Sequence, residues 1–121
     1  MKVLIIDDSD DIREVLRKII KGIGAEIVGE ASNFTDGLEL AKKSDAHVLI
    51  LDIKLGNKSG LDILKKVRSK KDIPTIIIFS NYSAEQYREK AFSEKADYFF
   101  NKTDEFSELI DLLNQLNNKL K

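Results

Sequence analysis

Four apolar runs in this sequence end on residues that could do chemistry together. Asp7 and Asp8 follow residues 3–6, Asp52 follows 48–51, Ser80 follows 76–79, and Lys102 comes just after 98–100. Three carboxylates held close together raise one another's pKa, and a hard divalent cation relieves the conflict. Mg²⁺ takes few carboxylates, a carbonyl and several waters, which leaves positions open for phosphate oxygens. Lys102 adds a point positive charge suited to phosphate, and Ser80 adds a neutral donor. The set is that of a phosphoryl site with an aspartate available as covalent acceptor. One aspartate at a strand end would be ordinary turn chemistry. Shared chemistry requires all four ends to meet.

That meeting depends on the elements between them. Each apolar run is short and unbroken, as in strands buried on both faces, and helical periodicity separates the runs. Strand one is expected over residues 2–7 and strand two over 26–30. Strand three ends at Asp52, strand four opens at Pro74, and strand five covers 98–100. Helix one carries Ile12, Val15, Leu16, Ile19, Ile20 and Ile23 on one face, with Ser9 as N-cap and Gly22 and Gly24 at its end. Helix two is expected over 33–43. Helix three follows the loop 56–60, with Leu61, Leu64 and Val67 inward. Helix four runs from Ser83 to Ser93 with few anchors: Ala84, Tyr87 and Ala91. Thr103 is expected to cap helix five, whose first turn would carry Asp104 and Glu105. The fold class is therefore α/β, a (βα)5 doubly wound, flavodoxin-like parallel sheet of five strands in the order 2-1-3-4-5. In that order strands one, three, four and five are neighbours. Their carboxyl ends bring Asp8, Asp52, Ser80 and Lys102 within side-chain reach, in register along one edge.

Composition excludes other classes. The 121 residues are 42% apolar and 34% charged, which suits one globular domain over 1–121. Lys and Arg number 20 against 21 Asp and Glu, for a net charge of -1. No global field draws such a chain to nucleic acid or to a membrane, so a partner must recognise a local surface. Without cysteine there is no disulfide and no thiolate metal site, and one histidine, His47, cannot build a zinc site. The N-terminal apolar run is too short for a signal peptide or a membrane span, and the expected compartment is the cytoplasm.

The chain resembles the receiver domain of two-component response regulators, of which the chemotaxis regulator is the type. The resemblance covers essentially its whole length. It rests on Asp7-Asp8 after strand one, Asp52 after strand three, Gly60 eight positions later, Ser80 after strand four, and Lys102 after Ala96-Asp97-Tyr98-Phe99-Phe100-Asn101. It implies that Asp52 is the phosphoacceptor for a sensor histidine kinase, and that Mg²⁺ is bound by Asp8 and Asp52 directly, by Asp7 through water and by the Lys54 main-chain carbonyl. It makes Ser80 the switch hydroxyl, Phe99 the coupled switch aromatic, and Lys102 the partner of the phosphoryl oxygens. A surface of helix four, strand five and helix five would then meet a downstream protein or a second receiver copy. On this reading the chain is no metabolic enzyme but promotes its own phosphoryl transfer and slow autodephosphorylation.

Four positions depart from the family pattern. Thr103 stands where a proline with a cis bond is usual, and a cis bond before a non-proline residue costs about 2.5–4 kcal/mol. Gly56 replaces a frequent proline and is expected to loosen the loop after Asp52. Asn81 replaces a small residue and is expected to crowd the phosphoryl pocket. Phe99 lacks the hydroxyl of the commoner tyrosine.

Other patterns carry less. Gly22-Ile23-Gly24 follows a helix and is a helix stop, not a dinucleotide fingerprint. Asp8-Ser9-Asp10 is like the nucleophile motif of haloacid-dehalogenase-like phosphatases, but Ile12 stands where a hydroxyl is required. An FMN site would set the ligand phosphate against Asp7-Asp8. The run Lys65-Lys66 to Lys70-Lys71 reads as a solvated face. Leu112 and Leu116 widen the apolar stripe of helix five, either as core contact or as a partner surface beside Phe99. The rival from another class is a phosphorylation-independent interaction module that keeps the fold.

Overall fold

In the computed structural model, which describes residues 1–82 and 84–121, the buried runs become a five-stranded parallel sheet. β1 (Lys2–Ile6), β2 (Glu26–Ala31), β3 (Val48–Leu51), β6 (Thr75–Ser80) and β7 (Tyr98–Asn101) lie in the order β2-β1-β3-β6-β7. This is the expected 2-1-3-4-5 order. A short antiparallel hairpin, β4 (Lys54–Leu55) with β5 (Lys58–Ser59), stands apart from the sheet.

Side-chain alternation along each strand sends successive residues to opposite faces. Leu4, Ile6, Leu49, Leu51, Ile76, Ile78 and Phe99 share one core cluster with residues of α2 (Phe34–Lys43), α3 (Gly60–Arg68) and α4 (Glu85–Ser93). Val3, Ile5, Val48, Ile50, Ile77 and Phe79 share the other with residues of α1 (Asp10–Gly22) and α5 (Phe106–Lys119). Sheet and both helix layers thus hold the strand ends rigidly, each buried aliphatic side chain contributing about 1.5–3 kcal/mol. α2 approaches β1 unusually closely at Gly37, where an added Cβ would lie 2.7 Å from Ile6 Cγ2. Gly37→Ala gains about 0.8–1.0 kcal/mol of helix propensity but overpacks a fully buried isoleucine, which costs about 1–3 kcal/mol. The expected balance is a net loss, read as a lower urea midpoint.

Several expectations need correcting. Gly56 does not loosen its loop. It adopts φ +65° in the two-residue turn joining β4 to β5, a conformation that such hairpins require and glycine supplies. Thr103 does not cap α5, which begins at Phe106 with Glu105 at the N-cap position and no side-chain cap bond, so Asp104 and Glu105 precede its first turn. Leu112 is buried and Leu116 packs half-buried against the α1 and α5 core, so the wide stripe is core contact. Leu120, just past the end of α5, is exposed. Ala84 is exposed instead of anchoring α4, and Ser83, expected to open that helix, lies outside the described residues.

Candidate phosphoryl site at the carboxyl edge of the sheet

Parallel register fixes the heights of the candidate residues. Ile6 pairs with Leu51, Leu51 with Ile78, and Ile78 with Phe99. Asp7 and Asp52 therefore sit one step beyond the same row, Asp8 and Ser80 two steps, and Lys102 three. The residues are staggered, not in register. A step is about 3.3 Å, and the long lysine stem makes up the difference by folding back. Lys102 Nζ lies 2.8 Å from Asp7 Oδ2 and 2.9 Å from Asp52 Oδ2.

Local bonds orient each group. The Ser9 N–H donates to Asp7 Oδ1 at 2.9 Å, while the Ser9 hydroxyl caps α1 by accepting from the Ile12 N–H. Arg13 Nη1 donates to the Asp7 carbonyl at 2.6 Å, which ties the first turn of α1 to the end of β1. The Ile53 N–H donates to Asp52 Oδ1 at 2.8 Å, so the other oxygen of Asp52 faces Lys102. Behind Asp52 the backbone closes tightly, with the Gly60 N–H donating to the Ile53 carbonyl at 2.6 Å.

Asp7 and Asp52 are buried and Asp8 is exposed, and one carboxylate oxygen from each falls within 4.8 Å of the others. Burial pushes the Asp7 carboxyl above its ordinary pKa, although the bonds from Lys102 and Ser9 pull it back down. Burial alone would lower the Lys102 pKa, but the bond to Asp7 and the charge of Asp52 outweigh it and raise the value. A half-neutralised acidic cluster with one exposed edge suits a hard cation that keeps part of its water shell. Its oxygen-only donors fit Mg²⁺ and offer nothing to a soft metal.

The exposed edge opens into a cleft of about 450 Å³, lined among others by Asp8, Asp52, Lys54, Ser80, Asn81 and Lys102. Lys54, exposed at the rim, begins β4. Ser80 is buried, and its hydroxyl accepts from the Tyr82 N–H at 3.1 Å. Phe99 is also buried, with the Arg88 guanidinium 4.6 Å above its ring centre. Among the described residues the one cis peptide is Ile73–Pro74, so Lys102–Thr103 is trans. Asn101 Oδ1 accepts from the N–H groups of Thr103 and Asp104 at 2.8 and 3.0 Å, and the Thr103 hydroxyl donates to Asn81 Oδ1 at 3.2 Å. Hydrogen bonds hold the turn where a proline ring would otherwise do so, and they draw the Asn81 side chain toward Thr103.

Two contributors escaped the sequence reading. Asn101 is a polar residue ending an apolar strand and so had a signal, that of an Asx turn. Arg88 had none, since α4 is too weakly amphipathic for its charged positions to be sorted.

If Asp8 supplies a cation ligand, Mg²⁺ should raise the melting temperature of the wild type by mass action. Asp8→Ala should remove that increment while leaving the metal-free melt near or above the wild-type value, because it removes a repelling charge. Calorimetry with and without Mg²⁺ checks this, and an unchanged increment in the variant would clear Asp8 of the role.

Comparison with known proteins follows the same lines. The family model for the response regulator receiver domain matches residues 3–114. The nitrate/nitrite response regulator protein NarL of Escherichia coli K12 is 32% identical over 114 residues, which is 93% of this chain and 53% of NarL. Chemotaxis protein CheY1 of Helicobacter pylori is 39% identical over 82 residues, covering 64% of this chain and 66% of CheY1. Among solved structures, a DNA-binding response regulator of the LuxR family from Staphylococcus aureus superposes with TM-score 0.85 at 28% identity, covering 96% of this chain and 98% of that one. The response regulator domain of Thermotoga maritima CheB gives 0.82 at 27% identity, over 98% and 94%. The chain spans about half the length of the first curated relatives it matches. No helix among the described residues is long and apolar enough to cross a membrane.

Proposed function

Because the chain belongs to the response regulator receiver family, we propose that it is a phosphorylation-switched signalling domain in which Asp52 accepts a phosphoryl group from a histidine kinase. The observation that carries this reading is the Asp52 carboxylate, buried at a strand end, with one oxygen 2.9 Å from the Lys102 ammonium and the open cleft beside it. In the transfer, a carboxylate oxygen of Asp52 attacks phosphorus. The phosphorus–nitrogen bond of the donor phosphohistidine breaks, and its electron pair returns to the imidazole. Lys102 neutralises charge on the phosphoryl oxygens as they arrive, an electrostatic contribution made by a group already in place. The Ile53 N–H fixes the carboxylate's orientation, which removes a rotational cost from the attack.

Asp7, Asp8, Asp52 and the Lys54 carbonyl would hold Mg²⁺, which supplies further charge neutralisation for those oxygens when bound. In hydrolysis, water attacks the phosphorus and Asp52 leaves as carboxylate, so the domain returns to its starting form without an external enzyme. For signalling, Ser80 exchanges its bond from the Tyr82 N–H for one to the phosphoryl group, drawing in the loop after β6 and shifting α4 over the buried Phe99. The α4, β7 and α5 face would then present a changed surface to a downstream protein or to a second copy. Direct contact with nucleic acid or a membrane forms no part of this reading. A cytoplasmic location accords with it.

Incubation with a small acyl-phosphate donor and Mg²⁺, followed by intact-mass measurement, tests the proposal. The wild type should gain one phosphoryl group and Asp52→Asn none. A wild type that gains nothing would favour the interaction-module alternative. For the switch, the phosphoryl mimic beryllofluoride should alter the size or shape of the wild type in solution and leave Ser80→Ala unaltered. An equal response in both would remove Ser80 from the path.

A further inference from the structure

We propose that Arg88 and Glu105 are positioning residues for Lys102, so that the hold of α4 on the turn after β7 governs how well the site takes up phosphoryl; this rests on the phosphoacceptor reading above. Lys102 reaches Asp7 and Asp52 from the turn between β7 and α5. A trans bond to Thr103 gives that turn no ring to stiffen it, so its shape depends on what the flanking residues are bonded to. Inside the turn, Asn101 holds the N–H groups of Thr103 and Asp104.

Glu105 holds the turn from outside. It occupies the N-cap position of α5, yet its side chain makes no cap bond. Instead Glu105 Oε1 accepts from the Asn101 N–H at 2.9 Å and from Arg88 Nη2 at 2.7 Å. Arg88 extends from α4, lays its guanidinium over the Phe99 ring and donates through Nη1 to the Phe99 carbonyl at 3.4 Å. One guanidinium thus gathers Phe99 and Glu105, and through Glu105 also Asn101, around Lys102.

The pair is sheltered, with side-chain exposures of 28% and 33%. Little else holds α4 in place: Ala91 is its one fully buried residue, and its first turn has no side-chain cap. A shift of α4 therefore pulls on Glu105 and slackens the turn that aims Lys102. Coupling runs both ways, because a phosphoryl group that draws Lys102 forward strains the same bonds. Lysine at position 88 would keep the charge but lose the planar fork and the stacking.

The test uses the full chain with an acyl-phosphate donor and saturating Mg²⁺, and reads the maximal rate of phosphoryl uptake by intact mass. Arg88→Ala and Glu105→Ala should each lower that rate about tenfold, the scale of a misplaced charge-bearing group. The Mg²⁺ midpoint of thermal stabilisation should not move to higher concentration, since Asp7, Asp8 and Asp52 are untouched and a slackened Lys102 competes less for their oxygens. Glu105→Gln should recover most of the rate, because its amide oxygen still accepts the Asn101 N–H. Arg88→Lys should fall in between. The double alanine variant should be no slower than the worse single one, as both losses break the same chain of contacts.

Cooperatively melting alanine variants at the wild-type rate would overturn the proposal. So would additive losses, or a Mg²⁺ midpoint that rises as the rate falls. If the alanine variants do not fold, a wild-type rate in Arg88→Lys overturns it. A wild type that takes up no phosphoryl defeats the phosphoacceptor reading itself, whereas variants that match an active wild type defeat only this inference.

Discussion

Lys102→Ala is expected to slow phosphoryl uptake by about 10²-fold or more, the usual cost of losing one preorganised charge at a reacting oxygen, while tightening the hold on Mg²⁺. Both effects follow from one ammonium bridging Asp7 and Asp52. Without it, two buried carboxylates face each other with no counterion, and breaking such a pair costs about 3–5 kcal/mol unless a proton or another cation takes its place. A proton can. Asp7 already has a raised pKa, mainly through burial, and loses the opposing pull of Lys102 in the variant. A carboxyl whose folded pKa exceeds its unfolded value adds stability below the unfolded value and loses it as pH rises through the folded one. The metal-free variant should therefore gain stability relative to wild type as pH falls from neutral toward the ordinary aspartate range. At neutral pH, Mg²⁺ should stabilise the variant more than it stabilises wild type. Equal Mg²⁺ increments in the two proteins would show that the ammonium and the cation do not share these oxygens.

Gly60→Ala should be the most damaging single methyl group in the molecule. An added Cβ would lie 1.9 Å from the carbonyl oxygen of Asp52 and 3.3 Å from Leu51 Cδ1. The first of these contacts is backbone, so no rotamer change relieves it. Nor can the end of β3 retreat, because the Asp52 N–H is bonded to the Ile6 carbonyl and β3 pairs with β6 on its other side. Overpacking a core typically costs about 1–3 kcal/mol, and a backbone clash stands at or beyond the top of that range. Total stability is only about 5–15 kcal/mol. Urea titration should show a large drop in midpoint, and the fraction still folded should take up phosphoryl slowly because Asp52 has been pushed relative to Lys102. A stability change within about 0.5 kcal/mol would mean that the close approach of Gly60 is not what sets Asp52.

The sheet was legible in the sequence because buried strands announce themselves: 48–51 and 76–79 are unbroken apolar runs, and only a parallel sheet covered on both faces hides them. Topology then placed Asp7, Asp8, Asp52, Ser80 and Lys102 at one edge. Their stagger was not legible, since it depends on which residues pair across strands. Two-residue strands such as Lys54–Leu55 carry no periodicity, so nothing in the sequence marks the hairpin, and Gly56 reads there as slack instead of the residue that closes a turn. Thr103 had the composition of an N-cap, but its N–H is claimed by Asn101 and its hydroxyl by Asn81, and α5 starts three residues later. The breadth of the α5 stripe was ambiguous because periodicity counts apolar positions without saying what covers them. Leu112 is buried in the core that α1 and α5 share with the sheet.

On the proposed mechanism Asp52, and neither Asp7 nor Asp8 beside it, carries the phosphoryl group. An acyl phosphate is reduced by borohydride to the corresponding alcohol, so treating the labelled protein converts the acceptor aspartate to homoserine, which peptide mass spectrometry then places. Homoserine at position 52, formed only after the acyl-phosphate donor and Mg²⁺ have been supplied, is expected; homoserine at position 7 or 8, or at no position in a protein that has gained a phosphoryl group, would take the acceptor role from Asp52.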